Sequence, residues 1–112
     1  MTVAQIAQKL DLKVIVSASS LEKQVSGCYI GDLLSWVMGR AKSGDAWITI
    51  MGNVNSIAVS VLADTACIIL AENASLDKPA EQKATENNVA VLCSDKSAFE
   101  IACALGKILN LD

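Results

Sequence analysis

One pattern constrains this sequence more than any other. From residue 25 onward, four short apolar runs (25–30, 46–51, 66–71 and 89–93) alternate with segments whose apolar residues recur at helical spacing. The connections between them are short. Such an alternation calls for parallel strands joined by right-handed crossovers, with the helices packed on the sheet. A further β-branched run, Lys-Val-Ile-Val-Ser at 13–17, precedes the four. The predicted fold is therefore α/β, a mostly parallel sheet of about five strands with helices packed on it. Composition agrees: 53% of residues are hydrophobic but only 4% are aromatic. The core must be built from Ala, Val, Ile and Leu, as sheets buried on both faces are. At 112 residues the chain reads as a single domain, 1–112, large enough to bury a core without staples.

Helix boundaries follow from capping residues. Thr2 caps a helix over 3–10, and 18–24 reads as a loop or one helical turn. Asp32 is expected to cap a helix ending near residue 42, with Ser43-Gly44-Asp45 as the turn. Asn55 or Ser56 should cap the next helix, to about 63. Pro79 suits the first turn of a helix ending near 87. Ser94 or Asp95 should cap the last helix, with Phe99, Ala102, Leu105, Ile108 and Leu109 facing inward.

Several functions are disfavoured by what the sequence holds. The net charge is −3, no basic stripe occurs and Arg40 is the only arginine, so nucleic acid is not an expected partner. No apolar run reaches the roughly 18 residues that span a bilayer, and no greasy block follows a basic start, so a cytoplasmic location is expected. Cys28, Cys67, Cys93 and Cys103 are far apart and there is no histidine, which argues against a metal site and for reduced, mostly buried thiols. Without histidine there is no Ser-His-Asp or Cys-His arrangement. No phosphate loop and no dinucleotide fingerprint follows any strand. No catalytic residue and no cofactor are expected, and the chain is not read as an enzyme. Cys28 carries two readings: a thiolate favoured by a nearby helix N-terminus, or a small residue packed at a strand end.

Topology points to one region. In an open parallel sheet, ligands sit outside the carboxyl ends of the strands. Four polar loops follow those ends, and they nominate Gly31, Asp32, Gly52, Asn53, Asn55, Asn73 and Ser94 as ligand-binding residues; read more simply, the same residues are caps and turns. Trp36, one turn from Arg40, and Trp47, placed on an outer face of its strand, are candidate contacts of a homodimer.

Residues 27–40, Gly-Cys-Tyr-Ile-Gly-Asp-Leu-Leu-Ser-Trp-Val-Met-Gly-Arg, begin a resemblance that continues through 44–49, 55–59, 66–70 and 89–99. Over these segments the chain resembles the DRTGG domain family, and within it small stand-alone bacterial proteins of clostridial type. The domain is similar to the N-terminal, non-catalytic half of HPr serine kinase. The resemblance implies a mostly parallel α/β fold, self-association and a regulatory or architectural role. It does not imply kinase activity, since the kinase's phosphate loop lies in a second domain. The signature departs from the family's: Asn53-Val54 stands where Asp-Arg is expected, and Ala71-Glu72-Asn73 where Thr-Gly-Gly is expected. Three readings follow: a non-enzymatic regulatory or adaptor homodimer with a protein partner, a sensor of a nucleotide or other anionic small molecule at the loop edge, and an enzyme related to HPr serine kinase.

Overall fold

In the computed structural model, which describes residues 1–110, five strands form one sheet. They are β1 (Lys13–Val16), β2 (Gly27–Ile30), β3 (Asp45–Thr49), β4 (Cys67–Leu70) and β5 (Val91–Cys93), in the order β1-β5-β4-β3-β2. The helices are α1 (Val3–Lys9), α2 (Leu34–Arg40), α3 (Val54–Ala63), α4 (Lys78–Glu86) and α5 (Ala98–Ile108), and Ser19–Glu22 forms a short 3₁₀ turn.

The alternation from residue 25 produces what it predicts. Strands β2 to β5 run parallel, in a register that aligns Tyr29, Trp47, Ile68 and Val91 across the sheet. The first strand does not conform. β1 lies antiparallel to β5, so the sheet is mixed rather than mostly parallel. The reason is the connection. β1 and β2 occupy opposite edges, about 19 Å apart at ~4.8 Å per strand. Running antiparallel, β1 ends level with the start of β2. Residues 17–26 then pass beneath the amino ends of the other strands without a crossover helix.

Period-2 alternation divides the core. Ala46, Ile48, Cys67, Ile69 and Leu92 face Val3, Ile6, Ile101 and Leu105 of α1 and α5. Trp47, Ile68, Leu70 and Val91 face Val37, Ile57, Ala80 and Ala84 of α2, α3 and α4. Three layers result, with β3 buried along its whole length. Each fully buried Ile or Leu contributes about 1.5–3 kcal/mol relative to exposure.

Several local expectations change. Thr2 does cap α1, in a reciprocal arrangement with Gln5. Asp32 caps nothing: α2 starts after Leu33, which makes no side-chain cap. Asn53, not Asn55 or Ser56, caps α3, because its extended backbone lets its side-chain oxygen accept from Asn55 N and Ser56 N. Asp77 caps α4, with Pro79 in the first turn. Ser97, not Ser94 or Asp95, caps α5 by reciprocal bonds with Glu100. Phe99 is 75% exposed rather than inward, since Ile101 and Leu105 hold the sheet-facing positions.

Candidate functional site

The four polar loops do lie along one rim, and hydrogen bonds tie them to their neighbours. Gly31 N donates to Ile48 O at 3.2 Å, and Gly31 O accepts from Trp47 Nε1 at 2.9 Å. Asp32 Oδ1 accepts from Thr49 Oγ1 at 2.7 Å and from Ile50 N at 3.1 Å, which is why it is unavailable as a cap. Gly52 O accepts from Asp77 N at 3.0 Å, and a Cβ on Gly52 would overlap the Ser75 carbonyl, so glycine is required there by close approach. Glu72 N donates to Lys96 O and Asn73 N to Ser94 O, both at 2.8 Å.

The seven predicted residues are therefore strung out rather than gathered. Gly31 and Ser94 follow strands three places apart, about 14 Å at ~4.8 Å per strand. Asn53 caps α3, and Asn55 is exposed in its first turn. Only Asn73 and Ser94 sit at a topological switch point. There β4 leads to α4 on one face, while β5 leads to α5 on the other. In open sheets ligands favour such a crevice. Here the two backbone bonds from Glu72 and Asn73 cross it. Both residues have positive φ, 54° and 56°. Left-handed backbone at both positions is the conformation that glycine adopts most readily. Beside the crevice a cavity of about 270 Å³ is lined by Lys9, Asp11, Leu12, Ser94, Lys96 and Glu100, among others.

Sequence reasoning missed Thr49 and Asp77, which organise the rim. Thr49 carried a signal: a polar residue near the carboxyl end of an otherwise apolar run. Asp77 lay three residues before Ala80, whose N–H it accepts at 2.8 Å.

Neither Cys28 nor Cys67 is activated. Cys28 lies within β2, not at a helix start; burial, with the negative charge of Asp45 nearby, pushes it up to about 11. Burial, with Cys28 adding to it, pushes Cys67 up to about 12. Both stay protonated at neutral pH, so the reactive reading of Cys28 falls. Among the described residues no three His, Cys, Asp or Glu side chains are placed to hold a metal ion. None of the described helices is long and apolar enough to cross a membrane.

The interface candidates separate. Trp36 is 52% exposed, and the Arg40 guanidinium carbon sits 3.7 Å from the centre of its ring. Trp47 is fully buried with its indole N–H bonded to Gly31, so it contacts no partner: the even-numbered positions of β3 face α1 and α5, and Trp47 faces the other helical layer.

Fold and rim together define a three-layer α/β domain whose polar loops are tied across the carboxyl ends of its parallel strands. The DRTGG domain model matches residues 5–108, and the chain belongs to the DRTGG domain family. Among solved structures it is similar to the CBS and DRTGG domains of the regulatory region of Clostridium perfringens pyrophosphatase, a structure complexed with the activator diadenosine tetraphosphate. That likeness has a TM-score of 0.67 at 11% identity and covers 93% of this chain but 45% of the other, so it speaks for the fold. The chain thus spans less than half the length of that neighbour. No curated protein matches it.

Proposed function

We propose that this chain is a non-catalytic regulatory domain that works as a homodimer, two copies meeting at the β2 edge. One observation carries the reading. β2, Gly-Cys-Tyr-Ile, is an open edge strand with no charge and no proline, and Ile30, Leu33 and Trp36 on it and just after it are 49%, 59% and 52% exposed. Unprotected edges invite pairing, and exposed Trp with Arg is favoured at contacts. The partner class that fits is a second copy, because a two-fold axis sets β2 antiparallel against itself and both strands gain hydrogen bonds. Membership of the DRTGG family and the regulatory context of the pyrophosphatase neighbour support a regulatory role. Light scattering tests it. The expected mass at micromolar concentration is twice 11.8 kDa, and Trp36→Glu should shift it toward the monomer. A strict monomer for the wild-type chain would remove the proposal.

A second reading is favoured by the β4–β5 switch point and the cavity beside Ser94 and Lys96. On this reading the domain senses a small molecule such as a nucleotide, with Asn73 and Ser94 at the crevice and Lys9, Lys96, Asp11 and Glu100 supplying charges of both signs around the cavity. The nucleotide in the C. perfringens structure makes diadenosine tetraphosphate and adenine mononucleotides the first compounds to try. A ligand that binds only the native state raises Tm. No shift at millimolar concentrations leaves this reading unsupported.

A further inference from the structure

The open edge of β2 presents its free peptide groups at Cys28 and Ile30. Ala66 N donates to Asp45 O and Ala71 N to Thr49 O, so the odd positions of β3 bond toward β4 and the even positions toward β2. Gly31 N donates to Ile48 O accordingly. In a parallel ladder the residues of one strand turn alternately toward and away from the neighbour. Tyr29 and Gly27 therefore share the direction of Gly31, toward β3, while Cys28 and Ile30 turn outward.

A second copy of β2 can meet these groups about a two-fold axis in only a few registers. Cys28 opposes the partner's Cys28, or Ile30 the partner's Ile30, or Cys28 the partner's Ile30. The first two set the remaining outward residue against Ser26 or Asp32, beyond the ends of the strand. The third pairs strand with strand throughout. Both of its pairs exchange N–H and C=O bonds, and Tyr29 faces its own copy between them.

Charge favours the same register. It sets the partner's Asp32, which is exposed, against Ser26. Ser26 and Gly27 line a cavity of about 400 Å³ together with Arg40, Lys42 and Asp45, among others. Asp45 is 7% exposed and accepts from Lys42 N at 2.8 Å, so the exposed charges of this cavity are the Arg40 and Lys42 cations. Neither cation, nor Asp32, is in an ion pair among the described residues. By symmetry the match of acid to cations occurs twice, and such complementarity fixes register. We propose that two copies join through β2 with Tyr29 beside the two-fold axis, Asp32 of each copy reaching Arg40 and Lys42 of the other. This register rests on the homodimeric reading above and goes beyond it in naming which residues meet.

Oxidative cross-linking separates the register from the dimer. Directly opposed residues of a hydrogen-bonded antiparallel pair lie about 5.5 Å apart at Cα, within disulfide reach, and diagonal ones about 7–8 Å, beyond it. Two chains are compared, both with the exposed Cys103 changed to serine. One keeps Cys28; the other carries Cys28→Ala and Ile30→Cys. Under copper phenanthroline the mixture should give a covalent heterodimer, and neither chain alone should link to itself. Self-linking of either chain, or no link in the mixture while light scattering still shows the doubled mass, would overturn the register and leave the dimer standing. A monomeric wild-type chain would remove both. A second measurement needs no thiol. Arg40→Glu should weaken self-association about tenfold or more in a sedimentation dilution series, whereas Lys83→Glu, the same charge change on exposed α4, should leave it unchanged. Equal effects of the two would overturn the contact between Arg40 and the partner's Asp32.

Discussion

The two edges of the sheet are built in opposite ways. β1 opens with Lys13, carries a register irregularity between Val14 and Val16 against β5, and runs antiparallel to its neighbour. The charge and the irregularity discourage another strand from docking. β2 has none of them. It is uncharged, regular in register with β3, and followed by exposed Leu33 and Trp36. The contrast between a guarded edge and an unguarded one beside exposed apolar side chains is what the proposed β2 contact rests on.

The largest effect should come from the residue that anchors β2. Trp47→Ala empties a fully buried site and is expected to cost about 3–5 kcal/mol in a urea titration. Amide exchange should then rise first in β2 and the Gly31 turn, where the indole N–H bonds, and later in β1. Equal loss at both edges would break the distinction.

Next comes association. Ile30→Lys gives β2 the kind of charge β1 already has, and should weaken self-association at least tenfold in a sedimentation dilution series. Val14→Lys, on an edge already guarded and 38% exposed, should leave it unchanged. If both substitutions acted alike, the edges would be equivalent.

A smaller effect is set by pH. Cys28 in β2 and Cys67 in β4 both have raised values, from 9.0 to about 11 and about 12. The native state holds these protons more tightly than the unfolded chain. Their stabilising contribution is therefore complete below pH 9 and declines as pH rises through 11 and 12. The urea midpoint should drop between about pH 8.5 and about 10.5, and Cys67→Ala should flatten the decline. A midpoint rising over that range would contradict the burial of both thiols.

The smallest effect concerns the rim, which both edges share. Glu72→Gly relieves a left-handed backbone, and should stabilise the chain by up to about 1 kcal/mol after the entropic cost of glycine. A loss of stability would mean that the Glu72 side chain supports the rim.

Much of this was legible beforehand. The runs at 46–51 and 66–71 became β3 and β4 because both faces of those strands are covered and the sequence is apolar throughout. The rim loops were also legible, since Gly31, Gly52, Asn73 and Ser94 are turn residues placed where strands end. Less legible was what each loop residue does. Asp32 reads as a cap, but Thr49 and Ile50 reach it first across the sheet. Trp47 reads as an outer-face residue of its strand, and only the covering helices decide that it is core. Phe99 falls on an apolar stripe, yet α5 turns it to solvent.

By itself, the order of residues determined the parallel run from β2 to β5, because periodicity and short connections are local properties that admit one economical arrangement. It left open the direction of β1, the tying of the rim and the unguarded state of β2. Those depend on contacts between residues far apart in the chain, such as Lys13 beside Cys93 or Asn73 beside Ser94. Pairing of that kind carries no local signature, since the energy of a long-range contact exists only once the strands between have already assembled.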